Sequence, residues 1–202
     1  MAQPVGTILF APQPVVGLQY CCPYPVDVAI LKKVMHLSDG NFVVTDNNGN
    51  LIFKVKGALL TLHDRRVLID ASGNPVLTLR HKIMTAHSRW QAFRGESSDM
   101  RDLIFTAKTS AVIQLKTKLE VFLANNRNEQ VGDFKVKGSW FDRSCVIYAG
   151  ESSNIVAQMH EKTSIQSVQL GKDQFMVMVY PNIDYAFIVA LIVILDEING
   201  GD

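Results

Sequence analysis

Tyr185-Ala186-Phe187-Ile188-Val189-Ala190-Leu191-Ile192-Val193-Ile194-Leu195 is an apolar run without a polar face, set between Asp184 and Asp196-Glu197. A helix that is apolar all round must be enclosed, because one resting on a single surface keeps a polar stripe toward water. Its eleven residues fall short of the roughly 20 needed to cross a bilayer and suit a buried core helix, so no transmembrane span is expected. Asn182 after Pro181 reads as the N-cap, Asp184 as a first-turn acid near the positive end of the dipole, and Gly200-Gly201 as the stop. The predicted helix covers residues 182–198, about 25 Å at ~1.5 Å per residue, and the rest of the chain has to wrap it.

The material for a wall precedes it. Phe42-Val43-Val44-Thr45 leads into Asp46-Asn47-Asn48-Gly49-Asn50 and then Leu51-Ile52-Phe53-Lys54-Val55-Lys56-Gly57, two β-type runs joined by residues that tolerate positive φ. The pattern recurs 24 residues on, with Val67-Leu68-Ile69, Asp70-Ala71-Ser72-Gly73-Asn74 and Pro75-Val76-Leu77-Thr78-Leu79-Arg80. In each D-x-x-G-N turn the Asp carboxylate can accept backbone N–H groups ahead of it while Gly supplies the left-handed residue. A calcium loop would need alternating oxygen ligands and a terminal bidentate Glu, which neither turn has. Further strands are predicted at 89–94, 103–109, 114–124, 134–138, 144–148, 155–159 and 175–180, and 26–37 is read as a strand although its periodicity also allows a short helix. About a dozen short strands at even spacing indicate an antiparallel sandwich or barrel. A barrel of that number is too wide for its own side chains to fill, and one apolar helix fills it. The expected fold is therefore mainly β: an approximately 12-stranded closed antiparallel barrel around a buried C-terminal helix.

With 202 residues, 48% hydrophobic and 19% charged, the chain suits one folded domain. Five of seven prolines fall at 4, 12, 14, 23 and 25, so residues 1–25 are expected to form an extended arm without regular helix, packed on a single domain over 26–202. A net charge of +1 gives no global field to recruit nucleic acid. Trp90, Trp140, Phe141 and Tyr148 are not interleaved with a dense basic stripe, so core packing explains them better than stacking on bases. Cys21, Cys22 and Cys145 lack metal or disulfide spacing and fit a reducing compartment. No secretory signal, myristoylation site or prenylation box is expected. The cytoplasm is the expected location and a monomer the expected state.

The paired hairpins, Trp90 on the following strand and the apolar helix at the end together resemble the LURP-one-related family of plant proteins, which is similar in fold to the tubby C-terminal domain and the phospholipid scramblases. The resemblance runs from about the arm to Ile198. It implies a tubby-like 12-stranded barrel around a C-terminal helix, an association of some members with basal defence, and no established reaction.

Basic residues recur on strands, at Lys54, Lys56, Arg80, Lys82, Lys116, Lys118, Lys135 and Lys137, while most acids sit in turns, and alternation is expected to put these basic residues on the outer, solvent-facing wall. Alternation turns Lys54 and Lys56 outward where Phe53 and Val55 turn inward, and Arg80 and Lys82 outward opposite Leu77 and Leu79. Lys54, Lys56, Arg80 and Lys82 are the candidate anionic-ligand surface, for a phosphoinositide headgroup, as the tubby resemblance implies, or a protein partner. A solvated wall that uses lysine to prevent aggregation is the plainer reading. Cys21-Cys22 beside Pro23 is a candidate pair for acylation, which would anchor the chain peripherally at the plasma membrane. Scramblases place calcium-binding acids before the final helix; only Asp173 and Asp184 stand there, too few for a tight site. The five histidines, at 36, 63, 81, 87 and 160, form no ligand spacing. Nucleophile-elbow, P-loop and dinucleotide motifs are missing, and Cys145 reads as core. No cofactor or metal is expected. The function expected is non-enzymatic binding or scaffolding, with a scramblase-like membrane-lipid effector as the alternative.

Overall fold

The two repeated turns show how the chain builds its wall. Asp46 Oδ1 accepts the N–H groups of Asn48 and Asn50, both at 2.8 Å, and its Oδ2 accepts Asn50 Nδ2 at 2.8 Å. Asp70 repeats this with Asn74, at 2.8 Å to the backbone N–H and 3.1 Å to the side chain. Gly49 and Gly73 sit at φ 83° and 93°, where a Cβ would be strained. The Asn50 side chain holds the Asp46 carboxyl below its usual range, and the Asn74 backbone N–H does the same for Asp70. Each turn reverses the chain, so the strands that flank it pair.

The computed structural model describes residues 11–33, 41–57, 65–82, 89–113, 116–160 and 174–199. Twelve antiparallel strands follow in order: β1 Val26–Lys33, β2 Asn41–Thr45, β3 Leu51–Gly57, β4 Arg65–Asp70, β5 Pro75–Lys82, β6 Arg89–Arg94, β7 Leu103–Ile113, β8 Lys116–Leu123, β9 Phe134–Gly138, β10 Val146–Ala149, β11 Ile155–His160 and β12 Gln174–Val179. Each pairs with its neighbours in sequence, and β1 pairs with β12, from Val26 opposite Val179 to Leu31 opposite Gln174, to close the barrel. Closure leaves no free edge, which removes the aggregation hazard of an open sheet. The segment whose periodicity allows either strand or helix is a strand as far as Lys33; its residues 34–37 lie outside the described residues.

Helix α1, Tyr185–Asn199, runs inside, and every residue from Ala186 to Leu195 is at most 1% exposed. About 22 Å long at ~1.5 Å per residue, it meets inward side chains from around the barrel. Phe187 packs edge-on against Phe105 with centroids 5.2 Å apart and tilted against Phe134 at 4.8 Å. Ala92, Ala107 and Ala157 stand among the inward residues with Phe53, Phe105 and Phe134, so small positions leave room for the rings.

The helix begins later than predicted. Asn182 is not the N-cap: it sits at φ 64°, accepts Gln13 N–H at 2.9 Å and donates its own N–H to Cys22 O at 2.6 Å. Its backbone is committed to the arm, so the cap passes to Asp184. Asp184 Oδ1 accepts Phe187 N–H at 3.0 Å, three residues into the helix, as a cap does. Its Oδ2 accepts the successive N–H groups of Val15, Val16 and Gly17 at 3.1, 2.7 and 3.0 Å. One carboxylate thus starts the helix and fastens the arm, fully buried at 0% exposure. Arg94 Nη1 adds a bond to Val16 O at 3.2 Å. The arm is not wholly extended: Leu18–Tyr20 form one 3-10 turn. Residues 1–10 and the Gly200-Gly201 stop lie outside the described residues.

Other expectations shift locally. The strand predicted at 144–148 begins at Val146, because Arg143 at φ 52° and the bond from Ser144 N–H to Ser139 O prolong the preceding turn. Cys145 is still core, 1% exposed. Trp90 and Trp140 are buried, but Phe141 is 62% exposed, since it falls in that turn and not on an inward strand position.

Candidate ligand-binding surface

With α1 filling the barrel, ligands must be sought on its outside. The β turns after β2, β4, β6, β8 and β10 all lie at the end where the arm crosses, because every strand reverses direction. They carry Asp46, Asp70, Glu96, Asp99, Asp133 and Glu151. Lys56, Arg65, Arg80 and Lys82 lie toward the other end, on the last residues of β3 and β5 and the first of β4.

Lys54, Lys56 and Lys82 are exposed and Arg80 half-exposed. The register places Lys56 beside Val67, and Val67 beside Thr78, so Arg80 lies two residues further along β5 and two strands away. Strand spacing of about 4.8 Å separates the β3 and β5 pairs by roughly 10 Å, with β4 between them. Arg65 of β4 stands directly opposite Arg80 and was not predicted. Alternation could have found it, since Arg65 shares the outward phase of Val67 and Ile69. Its neighbour Arg66 takes the other phase and donates two hydrogen bonds to the Glu197 carboxylate of α1, at 2.7 and 3.0 Å.

Among the described residues no carboxylate forms an ion pair with Lys54, Lys56, Arg65, Arg80 or Lys82; Arg65 donates to the Glu96 carbonyl at 3.1 Å. Like charges directly opposite on a sheet are unfavourable. Elsewhere on the wall several of the described cations have partners. Lys135, predicted to face solvent, is buried at 7% and donates to Glu151 at 2.6 Å. Lys118 pairs with Glu120, and Lys137 lies over the Tyr148 ring; the Lys116 side chain lies outside the described residues.

Cys21 and Cys22 are half-buried on the arm, where Cys21 pairs across to Asp184. Burial first, and then the Asp184 charge, push the Cys21 thiol up to about 11, leaving little thiolate to attack an acyl donor near neutrality. Iodoacetamide is therefore expected to alkylate Cys21 slowly at pH 8, with the rate climbing toward pH 11; fast labelling at pH 8, read by peptide mass, would contradict this environment. Cys145 is likewise raised to about 11 by burial. Of the two carboxylates before the helix, Asp184 is committed to four backbone N–H groups and Asp173 lies outside the described residues. Among the described residues no three His, Cys, Asp or Glu side chains gather as a metal site, and no helix is long and apolar enough to cross a membrane.

A closed antiparallel barrel plugged by its own final helix defines the structural class. The LURP-one-related family model matches residues 26–196, and the chain belongs to that family. It is similar to protein LURP-one-related 15 of Arabidopsis thaliana, 62% identical over 93% of this chain and 87% of that one, and to protein LURP1 of the same plant, 56% identical over 92% and 89%. A crystal structure of an Arabidopsis thaliana protein superposes with a TM-score of 0.74 at 54% identity, covering 92% of this chain and 98% of the other.

Proposed function

We propose that this chain is a non-enzymatic, tubby-like binding or scaffold protein that recognises an anionic partner, foremost a phosphoinositide headgroup at the cytoplasmic face of the plasma membrane, through the outer wall of β3 to β5. The carrying observation is the cluster of Lys54, Lys56, Arg65, Arg80 and Lys82, held together without carboxylate partners among the described residues, whereas Lys118 and Lys135 elsewhere on the wall pair with Glu120 and Glu151. An anion lying across the opposed Arg65 and Arg80 relieves their repulsion. The filled interior supports binding over catalysis, because it leaves no room there for a substrate. A defence setting follows from the resemblance to family members associated with it.

Sedimentation with phosphatidylcholine vesicles, plain or containing phosphatidylserine or a phosphoinositide, tests the proposal. Binding is expected only to the anionic vesicles and to weaken with salt. Changing Lys54, Lys56, Arg80 and Lys82 to Glu removes four contacts of about 1 kcal/mol each, so affinity should fall on the order of 100-fold or more. Protein that stays in the supernatant at every composition, or a charge-reversed variant that binds unchanged, sinks the lipid reading.

A further inference from the structure

A groove of about 320 Å³ lies on the outer face of β6, β7 and β8 and borders the basic wall, since Gln91 and Arg89 of its lining stand directly opposite Arg80 and Lys82. Gln91, Leu103 and Thr106 form its floor, with Gln91 and Thr106 directly opposite each other. Both of its sides are built rather than loose. Met100 stands on one side, in a 3-10 turn capped by Asp99, whose side chain accepts Arg101 N–H at 2.9 Å, and stapled by Ser97 Oγ to Asp102 at 2.6 Å. Residues 124–129 form the other. There Asn126 Nδ2 donates to Val131 O at 2.8 Å and to Asp133 Oδ2 at 2.9 Å, and Asp133 Oδ2 also accepts Leu123 N–H at 2.8 Å.

Glu129 fastens that side back onto the barrel. Its carboxylate accepts both terminal nitrogens of Arg89 at 3.1 Å and pairs with Lys108. Burial works against its charge, yet Lys108 and Arg89 together hold its carboxyl below the usual range. The residue sits at φ 47°, a conformation uncommon for a long side chain that persists only where the surroundings impose it. The concavity is thus preformed, at the small end of the range for ligand sites.

Its chemistry is specific in sign. Arg89 and Arg127 line the groove, and Glu129, already shared with Lys108, is the one carboxylate among the described residues of its lining. Arg127 has no carboxylate partner among the described residues. Arg89 spends two of its five N–H donors on Glu129. Met100, Leu103 and Ala124 supply an apolar surface beside these donors. We infer that the groove is a binding site for a small amphiphilic anion, a carboxylate or phosphomonoester carried on an apolar body. The oxyanion meets Arg127 and the remaining N–H groups of Arg89, and the apolar body lies along Met100 and Leu103.

The test is an amide-resolved NMR titration of the full chain with phenylacetate and phenyl phosphate, with 2-phenylethanol and 2-phenylethylammonium as neutral and cationic bodies of similar shape. Saturable shifts are expected at Gln91, Leu103, Thr106 and residues 123–129 with at least one anion, about tenfold weaker binding with the alcohol, and none with the cation. The relative strength of the two anions distinguishes carboxylate from phosphomonoester. Arg127→Gln, with an otherwise unchanged spectrum, should bring the anions to the level of the alcohol, while K54E/K56E should leave them unaffected. Absence of binding by both anions, equal binding of anion and alcohol, shifts centred elsewhere, or anion binding unchanged in Arg127→Gln each overturns the inference.

Discussion

Asp184→Ala is expected to lower stability by about 4 kcal/mol and release the arm. The carboxylate is fully buried and accepts four backbone N–H groups, one from the first turn of α1 and three from the arm. Loss of a helix cap costs about 1 kcal/mol, and each buried N–H left unpaired costs at least about 1 kcal/mol. At roughly 2–4 °C per kcal/mol for a chain of this size, the melting temperature should fall by about 8–16 °C. Asp184→Asn keeps an acceptor in place but gives up the charge, and about half the loss is expected. Amide exchange at Val15, Val16 and Gly17 separates the two roles, because Ala at 184 should accelerate exchange there well beyond the change in global stability. A melting temperature within a couple of degrees of wild type would show that the four bonds are not holding the arm and helix together.

That residue also shows what sequence alone can and cannot reveal. The hairpins were legible because their chemistry is local: Asp46 bonds Asn50, and Asp70 bonds Asn74, within a single turn. The helix and its enclosure were legible because an unbroken apolar face is stable only where protein or lipid surrounds it, and the run is too short for lipid. Its first residue was not. Whether Asn182 or Asp184 caps depends on the arm, some 170 residues earlier in the chain, which engages the backbone of one and the carboxylate of the other. Lys135 follows the same logic, predicted outward by alternation but covered where Glu151 reaches it.

The candidate surface divides along the same line. The outward phase of Lys54, Lys56, Arg80 and Lys82 was readable from period two, and Arg65 would have been by extending that rule one strand. Which of the described cations pair with a described carboxylate was not readable, since ion pairs join residues that only the register brings together. The groove was invisible for a stronger reason. Its far side exists because Glu129 crosses to Arg89, 40 residues earlier, and no local pattern marks that contact.

Phe187→Ala is expected to cost about 5 kcal/mol, at the upper end of measured Phe→Ala losses in protein cores. Part of the loss is transfer free energy, part the two aromatic contacts with Phe105 and Phe134, each worth about 0.5–1.5 kcal/mol. The rest is the cavity. In a simple helical core neighbouring elements can shift inward, but here the surroundings are strands tied into one continuous hydrogen-bonded ring. Narrowing the ring at one level would disturb the ladders on both sides, so the space left by the aromatic side chain stays open. Urea unfolding should show a lower midpoint with an unchanged slope, since the surface exposed on unfolding is nearly the same. Leu18→Ala, at a position 62% exposed on the arm, should change the midpoint little. In the wild type, amides from Ile188 to Leu195 should be among the slowest to exchange, because opening them requires opening the barrel. A loss below about 1 kcal/mol for Phe187→Ala, or rapid exchange along α1, would mean that the helix is not enclosed as the ring of buried side chains requires.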